Sequence, residues 1–215
     1  MTRREAVDAV TSAHCAVSGA FADALITKLE PALNRSGYAV SVAPTAPANP
    51  ERGEVPTGPS VGILVADHDD PAIPGFRTRW RRSGRPLLDV VHQHPDIRIG
   101  PWDISGTSAC GSCFRMRARQ HGSGTTGGPP LRTLPSVSID GFPPYVTSIV
   151  VTLVLAGLER LTADPAARRN EVTMVDTALL TIRTLPVIPV NGCPQCAAPT
   201  PPGPPLHTGL NGATR

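Results

Sequence analysis

Three features of the sequence predict an α/β fold. Val61-Gly-Ile-Leu-Val-Ala66 is a continuous apolar run ending in Asp67-His-Asp-Asp70, the pattern of a buried parallel strand that delivers polar residues at its C-terminal end. A short basic helix over Pro74 to Arg82 and a second apolar run, Leu87-Leu-Asp-Val-Val91, follow, and strand, helix, strand in this order make a βαβ unit. The most apolar stretch, Val146 to Leu158, is interrupted by Thr147, Ser148 and Thr152. It reads as a buried helix, too short for a bilayer span of about 20 residues.

In chain order, Ala6 to Leu33 has helical character, with Val7, Val10, Leu25, Leu29 and Leu33 at helix-compatible spacings and Pro31 bending or ending the run. Tyr38 to Val42 reads as a short strand after the turn at Ser36-Gly37, and Ala43 to Pro59, with five prolines, as a loop. The basic helix ends at Ser83-Gly84, a glycine stop. A third strand, Ile97-Arg-Ile99, precedes Gly100-Pro101, and a second loop rich in glycine and proline covers 122–144. Tyr145 to Leu161 is the apolar helix, followed by two β-prone runs, Val172 to Val175 and Leu179 to Leu185. From Ala197 onward Pro, Gly, Thr and Ala dominate, a composition that reads as a disordered tail.

The chain has 215 residues, 40% hydrophobic and 17% charged, with 25 prolines and 20 glycines. That permits a sizeable core with long connections and excludes a coiled coil or a collagen-like fibre. A net charge of +3 does not call for a nucleic-acid partner, and with aromatics at 4% the stacking platforms for single strands are absent. Lys28, the single lysine, lies between Thr27 and Leu29, so a phosphate loop that needs Gly-Lys cannot form. No unbroken apolar region follows Arg3 and Arg4. A signal peptide is therefore not expected, and a cytoplasmic location is.

Four of the five cysteines fall in two C-x-x-C pairs, Cys110-Gly-Ser-Cys113 and Cys193-Pro-Gln-Cys196. Within one such knuckle both thiolates can reach one metal, and two knuckles complete the four-thiolate set of a structural zinc site. The long interval between the pairs requires them to meet by tertiary folding, clamping the C-terminal part onto the middle of the chain. Competing readings are disulfides, which a cytoplasmic chain disfavours, and a redox motif, which needs only one pair. Four thiolates leave no open coordination position, so such a site serves structure rather than metal catalysis. Cys15 reads as a small buried hydrophobe.

Other polar groups carry two readings each. Asp67, Asp69 and Asp70 are either remnants of an ATP or Mg²⁺ site at a strand end or a solvated turn with capping duty. His92 and His94 lack the further ligands a metal site needs and read as loop histidines. Arg77, Arg79, Arg81, Arg82 and Arg85 surround Trp80, and Arg115, Arg117 and Arg119 alternate past the first knuckle. They form either a docking face for an acidic peptide or partner protein, with Trp80 as anchor, or a solvated basic helix.

The ordered set Gly84-Arg-Pro-Leu-Leu-Asp-Val-Val91, Arg98-Ile-Gly-Pro101, Cys110-x-x-Cys113-Phe-Arg-Met-Arg117, Val172-Thr-Met-Val-Asp176 and Pro189-Val-Asn-Gly-Cys193-Pro-x-Cys196 resembles the C-terminal two-thirds of ThiF/E1-like proteins. It is most similar to the E1-like partner proteins of YcaO cyclodehydratases in the biosynthesis of thiazole- and oxazole-modified peptides, also called precursor leader-peptide-binding or bacteriocin cyclodehydratase proteins. The resemblance covers about Gly58 to Ala197 and implies an α/β fold with a reduced E1-like Rossmann-type sheet and a four-cysteine zinc clamp. It divides the chain into an N-terminal helical or degenerate segment with a Pro-rich loop (1–57), an E1-like domain (58–197) and a tail (198–215). The implied role is a non-catalytic partner that helps a YcaO-type enzyme engage its ribosomal precursor peptide. The winged-helix leader-binding domain common in the family is not expected within these 215 residues. E1 relatives use a G-x-G-x-x-G loop for ATP, whereas only Val17-Ser-Gly-Ala20 stands near that place, so tight ATP binding is not expected. The alternatives are an ATP-dependent adenylating enzyme and a zinc-stabilised protein-interaction module.

Overall fold

The structure, a computed structural model, describes residues 10–45, 58–67, 73–104, 108–120, 142–163 and 170–196. Seven strands form one sheet in the order β2-β1-β3-β4-β5-β6-β7. The parallel half comprises β1 (Ser12–Ser18), β2 (Ala39–Pro44), β3 (Ser60–Asp67) and β4 (Leu87–Gln93). The antiparallel half adds β5 (Asp96–Asp103), β6 (Glu171–Asp176) and β7 (Thr181–Pro186). Helices α1 (Ala20–Arg35), α2 (Ile73–Arg82), α3 (Gly111–Gln120) and α4 (Pro144–Ala163) cover both faces.

Alternation along the strands assigns those faces. In β3, Val61, Ile63 and Val65 belong to the core beneath α1 and α4, whereas Leu64 and Ala66 join Ala16, Ile73, Trp80 and Leu87 beneath α2. The βαβ unit read from the sequence is present as β3-α2-β4. Gly62 is required where Trp80 lies against β3, since a Cβ there would sit 2.5 Å from the indole and 2.9 Å from Leu87. The Trp80 Nε1–H donates to Pro86 O at 2.9 Å, which satisfies the one polar atom of that buried ring.

Three expectations are corrected. The helix expected over Ala6 to Leu33 is a strand followed by a helix. Ser12–Ser18 pairs with β2 on one side and β3 on the other, and Ala13 and Cys15 face one core while Ala16 faces the other. Small residues compatible with either state become a strand when both flanking ladders satisfy their backbone groups. The sheet therefore includes β1, with β2 on one side of it and β3 on the other. The following helix runs through Pro31 to Arg35, with Phe21, Leu25, Leu29 and Leu33 wholly buried.

Gly100-Pro101 does not end its strand either. Val90 pairs with Ile99 and Leu88 with Trp102, so Asp89 faces two residues, a bulge for which Gly100 adopts φ 95°. Helix α4 has 20 residues, and by length and composition it could span a bilayer, so the shorter apolar run had understated it. What holds it here is a stripe of Val146, Val150, Val154, Leu158 and Leu161, buried with α1 in the main core. The segments 46–57, 121–141 and 197–215, which contain most of the expected loops and tail, lie outside the described residues, as do Asp69 and Asp70.

Candidate metal centre

The two knuckles meet on the α2/α3 side of the sheet. Cys110 immediately precedes α3 and Cys113 lies in its first turn, where an i, i+3 spacing puts both thiols on one side. Phe114 N–H closes that turn by donating to Cys110 O at 3.2 Å. The second knuckle follows β7. Val187 is buried beside Val172 and Met174, Gly192 turns the chain at φ 72°, and Cys193 N–H donates to Val190 O at 3.1 Å. Ser112 Oγ donates to Gln195 Oε1 at 2.5 Å and Val190 N–H to Cys113 Sγ at 3.4 Å, joining one knuckle to the other.

All four sulfurs lie within 4.8 Å of one another, with Cys110–Cys113 at 4.0 Å, Cys110–Cys193 at 3.7 Å and Cys113–Cys196 at 3.2 Å. A tetrahedral ion with metal–sulfur bonds of about 2.3 Å needs sulfurs about 3.8 Å apart, so the cluster fits one. Each cysteine is free, and the separations far exceed a disulfide bond of about 2.05 Å. Burial pushes the Cys110 thiol up to about 12 and, with hydrogen bonds to Cys113, also raises Cys196. Burial opposes ionisation of Cys113 too, but hydrogen bonds from Val190 and Cys110 outweigh it and hold this thiol below its ordinary value. Four converging thiols, three of them buried, make the donor set that a soft cation completes. With four protein ligands no open position remains for a substrate.

The arginines expected to form a docking face divide. Arg77 is 3% exposed and Trp80 4%, so neither belongs to a surface. Arg77 pairs with Asp89 in β4 through contacts of 2.6 and 3.1 Å. Arg81 pairs with Asp103 in β5 and reaches Cys196 O at 3.4 Å. Arg82 is exposed, and the half-buried Arg79 stacks over Phe76 at 5.6 Å. On α3, Arg117 donates to Ile188 O at 3.3 Å and Pro189 O at 3.2 Å, tying the helix to the approach of the second knuckle. Sequence reasoning missed Asp89, Arg98 and Asp103, although each is a charge set in an otherwise apolar strand run, and such a charge needs a buried partner.

A second place of chemical interest lies where the chain leaves β1 for β2 on one side and returns as β3 on the other, the switch point at which open α/β sheets bind ligands. Here Gly19, at φ 88°, opens α1, and the Asp67 carboxylate fills the space its Cβ would take. Asp67 Oδ1 lies 3.1 Å from His92 Nδ1, and that imidazole packs against Phe21 and Phe142. A carboxylate thus already faces the positive end of α1, the kind of helix start that elsewhere receives phosphate. Cys15 is buried in β1, and burial pushes its thiol up to about 12.

No protein-family model matches the chain, and no curated protein does. Solved structures do. A chain of the E. coli microcin synthetase McbBCD complex superposes with a TM-score of 0.65 at 15% identity, covering 90% of this chain and 70% of its own. The same complex with pro-MccB17 bound gives 0.59 at 12% identity, covering 86% and 70%. A heterocyclase in complex with substrate and cofactor gives 0.57 at 15% identity over 89% of this chain, which spans 26% of the heterocyclase. At such identities the likeness is one of fold: this chain has the α/β fold found in components of heterocyclases and microcin synthetases.

Proposed function

We propose that this chain is a non-catalytic E1-like partner in the biosynthesis of thiazole- or oxazole-modified ribosomal peptides. In this reading it helps a YcaO-type cyclodehydratase engage its precursor in the cytoplasm, and a structural zinc on Cys110, Cys113, Cys193 and Cys196 holds its C-terminal segment in place. The observation that carries this reading is the fold shared over 90% of the chain with a microcin synthetase component. Two features of the sites support it. The metal centre is closed by four protein thiols, and Asp67 stands where phosphate would have to enter, which favours binding and positioning over adenylation. The docking role of the basic helix falls to Arg79 and Arg82, since Arg77, Trp80 and Arg81 are engaged inside.

The test is co-purification with the cyclodehydratase of the same pathway and heterocycle formation on the precursor, with and without this chain. A complex and a loss of heterocycle yield in its absence are expected. No complex together with an unchanged yield would remove the reading and favour a zinc-stabilised interaction module of another kind. Arg82→Glu should slow association at low salt, with the effect shrinking as salt rises.

A further inference from the structure

Beside the four thiols the protein buries an unusual set of charges. Asp89 accepts from Arg77, and Arg98 Nη2 lies 3.6 Å from the same carboxylate. Arg98 also donates to Gly100 O and stacks over the Phe114 ring at 5.2 Å, one residue past Cys113. Arg81 pairs with Asp103 and also reaches Cys196 O. Arg115, half-buried on α3, donates to Ser112 Oγ at 2.9 Å, inside the first knuckle. The knuckle touches the cluster directly: a Cβ on Gly111 would meet the Asp89 carboxylate and lie 2.9 Å from the Arg77 guanidinium.

Among the described residues, four guanidiniums therefore face two carboxylates in this cluster, an excess of two positive charges next to the sulfurs. Arg77 Nη1 is buried without a hydrogen-bond partner. Burial, opposed by Asp89 but reinforced by the neighbouring Arg77 and Arg115, lowers Arg98 to about 10. A buried excess of like charge is costly unless something opposite lies close by. Four thiolates around a divalent cation carry two negative charges. The further arginines of α3, Arg117 and Arg119, lie farther out, with Arg119 exposed.

We propose that the Arg77–Arg81–Arg98–Arg115 cluster, with Asp89 and Asp103, is the counter-charge of a divalent metal thiolate centre, so that Arg115 and Arg98 set how tightly the centre holds its ion. The proposal rests on the reading of the four cysteines as a metal site and goes beyond it. It assigns these arginines as positioning residues for the metal, acting through charge rather than ligation.

The test measures zinc affinity of the full chain by competition with a chromophoric chelator. Arg115→Gln keeps a hydrogen-bond donor for Ser112 and loses the charge. It should weaken zinc binding by about 10- to 100-fold, the range for groups just outside a metal's ligands. Arg115→Lys should stay within about threefold of the parent. The neutral pair exchange Arg81→Gln with Asp103→Asn leaves the net charge unchanged and should also change affinity little. Parent-level affinity in Arg115→Gln would overturn the proposal, as would equal losses in the Gln and Lys variants. Should Arg115→Gln fail to fold, Arg119→Glu, on the exposed end of the same helix, adds opposing charge and should weaken zinc by a smaller factor that salt suppresses; a salt-independent affinity equal to the parent's would likewise overturn it. A parent chain that holds no zinc would instead overturn the metal site itself, a distinguishable outcome.

Discussion

Replacing Cys193 by serine tests the clamp most directly. Cys110 and Cys193 are 83 positions apart, and a cross-link over a loop of that length removes about 15 cal/mol/K of entropy from the unfolded chain, or about 4.6 kcal/mol at 25 °C. A metal bridging the same positions sets a comparable scale as far as the ion stays on the unfolded chain, and where unfolding releases the ion its binding free energy adds to the difference. That amount is a large part of the roughly 5–15 kcal/mol by which domains are stable. At about 2–4 °C per kcal/mol for a chain of this size, the midpoint of thermal unfolding should fall by roughly 9–18 °C. The assay is metal analysis of protein purified under reducing conditions without chelator, followed by thermal melts and limited proteolysis. The parent should hold about one zinc per chain, and the variant none. Cleavage should concentrate at Arg117 and Arg183, which flank the opened clamp. Cys15→Ala, remote in β1, should leave metal content unchanged. A zinc-loaded parent together with a Cys193→Ser variant melting within about 3 °C of it would refute the loop-closure reasoning, whose magnitude comes from the same relation.

Calorimetric titration with Mg-ATP should show no micromolar binding, because the Asp67 carboxylate faces the start of α1 at Gly19; micromolar affinity would put an adenylating enzyme ahead of the partner reading. Gly62→Ala should cost about 1–3 kcal/mol, read from urea midpoints, because the new methyl meets the Trp80 ring; a neutral result would mean that α2 can move away from β3. The Cys15 thiol, raised by burial from 9.0 to about 12, is favoured in its neutral form by the fold. Its contribution is fully present below pH 9 and is lost as pH rises from 9 toward 12, at most about 4 kcal/mol. Cys15→Ala should flatten that alkaline decline in zinc-loaded protein, and an unchanged slope would exclude Cys15 as its source.

By itself the sequence determined the elements whose signals are local. The uniform apolarity of Val61–Ala66 and Leu87–Val91 marks strands buried on both faces, and the Ser83-Gly84 stop and the apolar stripe of α4 mark helix ends and a helix face. The two C-x-x-C pairs likewise carry their chemistry in their spacing, because each knuckle is built within four residues. Tertiary structure decided the rest. Ser12–Ser18 is made of residues acceptable to helix or strand, and the ladders of β2 and β3, supplied from later in the chain, selected the strand. The arginine run of α2 has one spelling whether it lies in solvent or core. Only the placement of Asp89 and Asp103, brought opposite by the β4–β5 pairing and its bulge, drew Arg77 and Arg81 inward while Arg82 stayed out. Local propensity is a property of neighbours along the chain, whereas burial of a charge depends on a counter-charge whose position is set by pairings across the sheet.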